Sequence, residues 1–160
     1  MRVMGTSGTG FTSDIIQGLL FAGGLPNSTG SVYQGTTPIK VMNLSLGSTG
    51  GGCSNSYQGV FNDLYDRNIS VVSSSGNEAQ EAPGVYGYPA SCENVISVAA
   101  TAATGLRAYY STYNDAVDIA APGGDVGADV NADGYSDGVL AFDSDEDLAF
   151  YQGTSMASPH

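Results

Sequence analysis

The chain has 160 residues, 41% of them hydrophobic and 12% charged, which suits one globular domain and is too short for several. Sixteen acidic residues against four basic ones give a formal net charge of -12, which argues against nucleic acid or an anionic membrane as partner. No stretch approaches the ~18 apolar residues of a membrane span, and Met1-Arg2-Val3-Met4-Gly5 lacks the apolar run of a secretory signal.

Met1 to Met4 is a short apolar run that reads as a core strand, so the expectation is a chain that begins within a larger protein. After "GTSGTG", Thr12, Ser13 and Asp14 offer helix N-caps, and Ile15, Ile16, Leu19 and Leu20 recur at helical spacing until Gly23-Gly24. "IKVMNLSLG" at 39–47 predicts a buried strand. From Ser54 a second helical face carries Tyr57, Val60, Phe61, Leu64 and Tyr65. "ISVVSSSGN" is again apolar and β-branched before it ends in Gly76 and Asn77. "NVISVAAT" (94–101) and "AVDIAAP" (116–122) predict two more strands, with "RAYYSTY" an edge or loop between them. "VLAF" and "LAFYQ" flank "DSDED" at 143–147, which predicts a hairpin with an acidic tip.

Strands that are continuously apolar and alternate with helices predict an α/β fold: a three-layer, mostly parallel sheet with helices on both faces. Functional groups in such folds collect at the carboxyl ends of strands, here Gly47 and Asn77. No repeat or linker divides the chain, so 1–160 is read as part of one domain.

Three stretches carry chemistry. "GTSMASPH" at 153–160 holds Ser155 and His160, the one histidine. Gly153 permits a tight turn, Thr154-Ser155 can start a helix, and small Ala157 and Ser158 let it pack closely. A serine on that first turn lies beside unpaired N–H groups suited to an oxyanion; the plainer reading is a helix N-cap. In "DVNADGYSDG", Asp129, Asn131, Asp133, Gly134, the Tyr135 carbonyl and Asp137 match positions 1, 3, 5, 6, 7 and 9 of an EF-hand-type calcium loop. Position 12 is Leu140, so the last ligand must come from Asp125 or the 143–147 turn; otherwise the loop is a solvated acidic turn. Cys53 and Cys92 lie 39 positions apart, with no Cys-x-x-Cys and no second histidine to suggest a metal. They form either a disulfide, which implies an oxidising compartment, or two buried thiols.

The octapeptide resembles the nucleophile motif of the subtilisin-like serine proteases (subtilases), and the resemblance continues in the family's order over nearly the whole chain. "RVMGTSGTGFTSDIIQGLLFA" is similar to the strand and helix after the family's catalytic-histidine region, and "VMNLSLG" to its substrate-binding strand. "VVSSSGNE" resembles the segment with the oxyanion-hole asparagine, and "ISVAAT" and "YYSTYNDAVDIAAPGG" resemble later core strands. The resemblance implies a serine endopeptidase in which Ser155 is the nucleophile and Asn77 stabilises the oxyanion together with the Ser155 N–H. It implies that Leu44, Ser45, Leu46 and Gly47 pair with an extended polypeptide substrate. Ser73, Ser74, Ser75 and Gly76 would wall the pocket for the residue before the cleaved bond; many relatives have alanines where Ser74 and Ser75 stand.

The family's triad runs Asp, His, Ser, and the first two motifs precede everything seen here. The resemblance thus implies a fragment, inactive alone, whose aspartate and histidine come from a missing N-terminal part of the same domain. His160 is five residues past Ser155, which on a helix means about 140° of rotation and about 7.5 Å of rise, and is not expected to be the base. Secretion follows from the family, the cysteine pair and the acidic composition, and a structural Ca2+ from similar Asp/Asn-rich insertions in some secreted members. The rival class is a calcium-binding, non-catalytic peptide-binding module or pseudoenzyme, which the upstream sequence would distinguish.

Overall fold

Apolar strands separated by a helix meet as parallel neighbours, because a connection of that length crosses the face of the sheet before the next strand begins. In the computed structural model, which describes residues 2–79, 85–143 and 146–160, the two strands on either side of the helix at Asn55–Asp66 follow that rule. The chain runs through helix α1 (Thr12–Ala22), strands β1 (Val41–Leu44) and β2 (Ser48–Thr49), and helix α2 (Asn55–Asp66). Strands β3 (Ser70–Ser74), β4 (Gly87–Tyr88), β5 (Val95–Thr101), β6 (Ile119–Pro122), β7 (Val139–Phe142) and β8 (Leu148–Tyr151) follow, and then the short helix α3 (Thr154–Ala157). The main sheet has the order β1-β3-β5-β6, parallel throughout.

Alternate strand residues face opposite sides, so each interior strand serves two cores. Val71 and Val95 pack with Ile15, Leu19, Tyr57, Phe61 and Leu64 under α1 and α2. Val72, Val98 and Ala100 pack with Ala108, Tyr110 and Ala157 on the side of α3. The result is the three-layer α/β arrangement. In β5 burial is unbroken from Ser97 to Ala100 although Ile96 is exposed, whereas β1 alternates because it stands at the end of the sheet: Met42 and Leu44 are buried, Val41 and Asn43 exposed.

Several expectations are corrected. Arg2 to Met4 form no strand; Val3 packs against the α1–α2 cluster instead. Helix α1 starts earlier than its polar residues suggested: Phe11 is the N-cap, makes no side-chain capping bond, and leaves Thr12, Ser13 and Asp14 inside the first turn. On α2, Ser54 does cap, accepting the Tyr57 N–H, but Tyr65 is 63% exposed because Leu64 takes the inward place on that turn. Strand β6 begins at Ile119 rather than at 116, and "RAYYSTY" is loop apart from a Thr101–Arg107 bridge. Strands β7 and β8 form the antiparallel hairpin, with residues 144 and 145 of its acidic tip outside the described ones.

Cys53 and Cys92 form a disulfide with Cα atoms 5.0 Å apart, tying the segment before α2 to the one before β5. Among the described residues no helix is long and apolar enough to cross a membrane.

Candidate active site

Parallel strands end on the same side, so Ser45 after β1 and Gly76-Asn77 after β3 emerge together, and α3 docks across them. Gly153, the N-cap of α3, has φ 149°, a conformation that glycine adopts without steric cost. The turn places Ser155 on the single turn of α3, half-buried. Ser45 fixes it from below: the Ser45 hydroxyl donates to the Ser155 carbonyl (2.8 Å) and bonds the Ser158 hydroxyl (3.0 Å). The Ser155 hydroxyl itself makes one long bond, 3.4 Å to the Ser45 carbonyl.

Asn77 is oriented by the residue before the serine. Its Oδ1 accepts the Thr154 N–H at 2.9 Å and the Thr154 hydroxyl at 3.0 Å. A backbone N–H only donates, so the atom facing it must be the amide oxygen and the NH2 group must face the other way. The Thr154 hydroxyl also accepts the Gly76 N–H at 3.2 Å. Among the described residues neither Asn77 Nδ2 nor the Ser155 N–H has a hydrogen-bond partner. Asn77, with its NH2 free, and Ser155, with a free N–H and a lightly held hydroxyl, line one pocket, an arrangement suited to negative charge forming on an attacked carbonyl.

That pocket, about 200 Å³, is lined by Leu46, Gly47, Ser74, Ser75 and Gly76 from the expected wall, with Asn77, Thr154 and Ser155 at the chemical end. Ser45 lines a neighbouring groove instead. Leu44 is buried in the core, and Ser73 is buried with its hydroxyl on the Leu44 carbonyl, so both stand behind the pocket. The opposite wall comes from residues that the sequence did not signal: Ser48 and Thr49 of β2, Gly87 and Tyr88 of β4, and Glu78. β2 and β4 pair antiparallel over two residues each, too short for any periodicity to show. Glu78 accepts the Asn77 N–H at 2.9 Å. His160 is exposed and its Nδ1–H donates to the Met156 carbonyl at 2.8 Å, one turn back.

In the 129–137 loop the carboxylates fold back on their own backbone. Asp129 accepts the Asp133 and Gly134 N–H groups, Asp133 that of Tyr135, and Asp137 that of Val130. Asn131 donates to Asp133, and the loop base is closed by the Asp125–Asp137 bridge. These oxygens suit a hard cation, yet Leu140 brings none, and among the described residues no three acidic, His or Cys side chains gather as a metal cluster.

A family model described as the subtilase family (peptidase S8) matches residues 1–160. The chain belongs to the subtilase family. It is 37% identical over 160 residues to an extracellular protease of Xanthomonas campestris, covering 100% of this chain and 26% of that protein. It is 34% identical to subtilisin Savinase of Lederbergia lenta, of which it covers 48%. A solved protease from Pseudoalteromonas arctica superposes with a TM-score of 0.81 at 36% identity, over 99% of this subtilase chain and 46% of that one. The chain thus spans half or less of the length of these relatives.

Proposed function

We propose that this subtilase chain carries the nucleophile and oxyanion half of a secreted serine endopeptidase. The orientation of Asn77 carries the reading: Thr154 occupies its oxygen, which leaves the NH2 and the Ser155 N–H free together. Ser155 Oγ attacks the scissile carbonyl carbon, and its proton passes to a base and then to the leaving amine. The negative oxygen of the tetrahedral intermediate accepts hydrogen bonds from Asn77 Nδ2 and the Ser155 N–H; when it collapses, an acyl-serine forms, which water hydrolyses. The base is a histidine, oriented by an aspartate, from a part of the domain outside this chain; the Nδ1 of His160 is engaged by the Met156 carbonyl. The substrate lies extended along Ser45 to Gly47, with the side chain before the scissile bond in the pocket between Leu46, Ser74, Ser75 and Tyr88. For the structural calcium proposed for the same domain, Asp129, Asn131, Asp133, the Tyr135 carbonyl and Asp137 would be the ligands.

The test is hydrolysis of a chromogenic peptide by the full-length protein. Ser155→Ala abolishes it, and Asn77→Ala lowers kcat by about 10²–10³, a value that belongs to subtilisin itself and is carried over to this relative. The 160-residue chain alone hydrolyses nothing. Activity that survives Ser155→Ala, or activity of the isolated chain, sinks the reading.

A further inference from the structure

The core beneath α3 holds a phenol beside the buried Ser111 hydroxyl, which accepts the Ala100 N–H at 2.8 Å. Tyr110 is 6% exposed and its ring packs with Val98, Ala100, Ala108 and Ala157. Its hydroxyl makes two bonds, both to glycines: it donates to the Gly124 carbonyl at 2.7 Å and accepts the Gly153 N–H at 3.0 Å. The same Gly153 N–H also reaches the Gly123 carbonyl at 2.9 Å. A Cβ on Gly123 would stand 2.8 Å from the phenol oxygen and 2.4 Å from Ala100 Cβ, so the Gly-Gly turn after β6 is what admits the hydroxyl. Burial pushes the phenol above its ordinary 10, partly offset by the Gly153 N–H, so it stays protonated and able to donate below that pH.

Gly153 is followed directly by Thr154, whose N–H and hydroxyl hold Asn77 Oδ1. We infer that Tyr110 is a positioning residue for the proposed reaction, its hydroxyl fixing Gly153 and, through it, the Thr154 groups that aim the Asn77 amide. The inference rests on the function proposed above. Its physical basis is that donors aimed at a developing oxyanion act by being already in place, and sub-ångström slack weakens them. A phenylalanine ring would fill the same space and hold neither glycine.

The experiment compares Tyr110→Phe, Asn77→Ala and the double variant in the full-length protein, with kcat and KM on a chromogenic peptide well below the lowest melting temperature. In the otherwise native protein, Tyr110→Phe is expected to lower kcat about three- to tenfold, the weight of one lost hydrogen bond, with KM unchanged within about twofold. In the Asn77→Ala background the loss disappears, because no amide is left to aim. Unchanged kcat with a lowered melting temperature assigns Tyr110 to the core alone and overturns the inference. So does an equal fold-loss with and without Asn77. Activity independent of Ser155 overturns the proposed function and this inference with it, whereas a Ser155-dependent enzyme indifferent to Tyr110→Phe overturns only the latter.

Discussion

Replacing Thr154 by valine in the full-length protein deletes one hydroxyl from a fully buried side chain and keeps its shape. Two hydrogen bonds go with it, the one donated to Asn77 Oδ1 at 3.0 Å and the one accepted from the Gly76 N–H at 3.2 Å. At about 1 kcal/mol each, stability falls by about 2 kcal/mol, and Tm falls with it. The effect on rate is separate. Asn77 Oδ1 keeps only the Thr154 N–H at 2.9 Å, so the amide can swing about that bond and the oxyanion loses part of its donor. Complete loss of such a donor costs about 2.7–4 kcal/mol in subtilisin itself, which bounds the effect from above; half of one aiming pair predicts a fall in kcat of about tenfold with KM little changed. Thermal melts and steady-state kinetics on a chromogenic peptide measure both. A variant that loses the expected Tm but keeps wild-type kcat would show that the hydroxyl only supports the fold and that the backbone alone aims Asn77.

Three other outcomes are expected. Cys53→Ser with Cys92→Ser opens a 39-residue loop and costs about 4 kcal/mol in denaturant melts of the full-length protein; an unchanged stability would contradict the chain-entropy argument. Burial raises the phenols of Tyr57 and Tyr110, so the folded state holds protons that the unfolded chain releases above pH 10. These two groups therefore leave stability flat below about pH 10 and lower it as pH rises toward their folded values, and Tyr110→Phe shallows that decline in denaturant melts; an unchanged slope refutes the assignment. Calcium binding by calorimetry is lost on Asp133→Ala, and no binding heat in the native protein would remove the loop from the proposed function.

Much of the fold was legible because the signals are local. Apolar spacing marked both long helices and the four parallel strands, and Ser54 marked the start of α2 through a bond to the Tyr57 N–H three residues on. The errors arose where local preference competed with packing. Thr12, Ser13 and Asp14 are good caps, but the chain enters α1 at Phe11; Val3, read as part of a strand, packs against the helix cluster instead.

The site divides the same way. The sequence, through the resemblance of "GTSMASPH" and "VVSSSGNE" to subtilase motifs, is what proposes Ser155 and Asn77 as the residues that bear the chemistry. Tertiary structure alone decided how they act together. Asn77 and Thr154 are 77 residues apart and meet because parallel strands deliver their ends to one side of the sheet. The β2–β4 wall and the Tyr110 hydroxyl on Gly153 depend likewise on distant segments closing over one another. Hydrogen bonds of that kind leave no periodicity in the chain, because what selects the residue is the atom across the gap and not its neighbours in sequence.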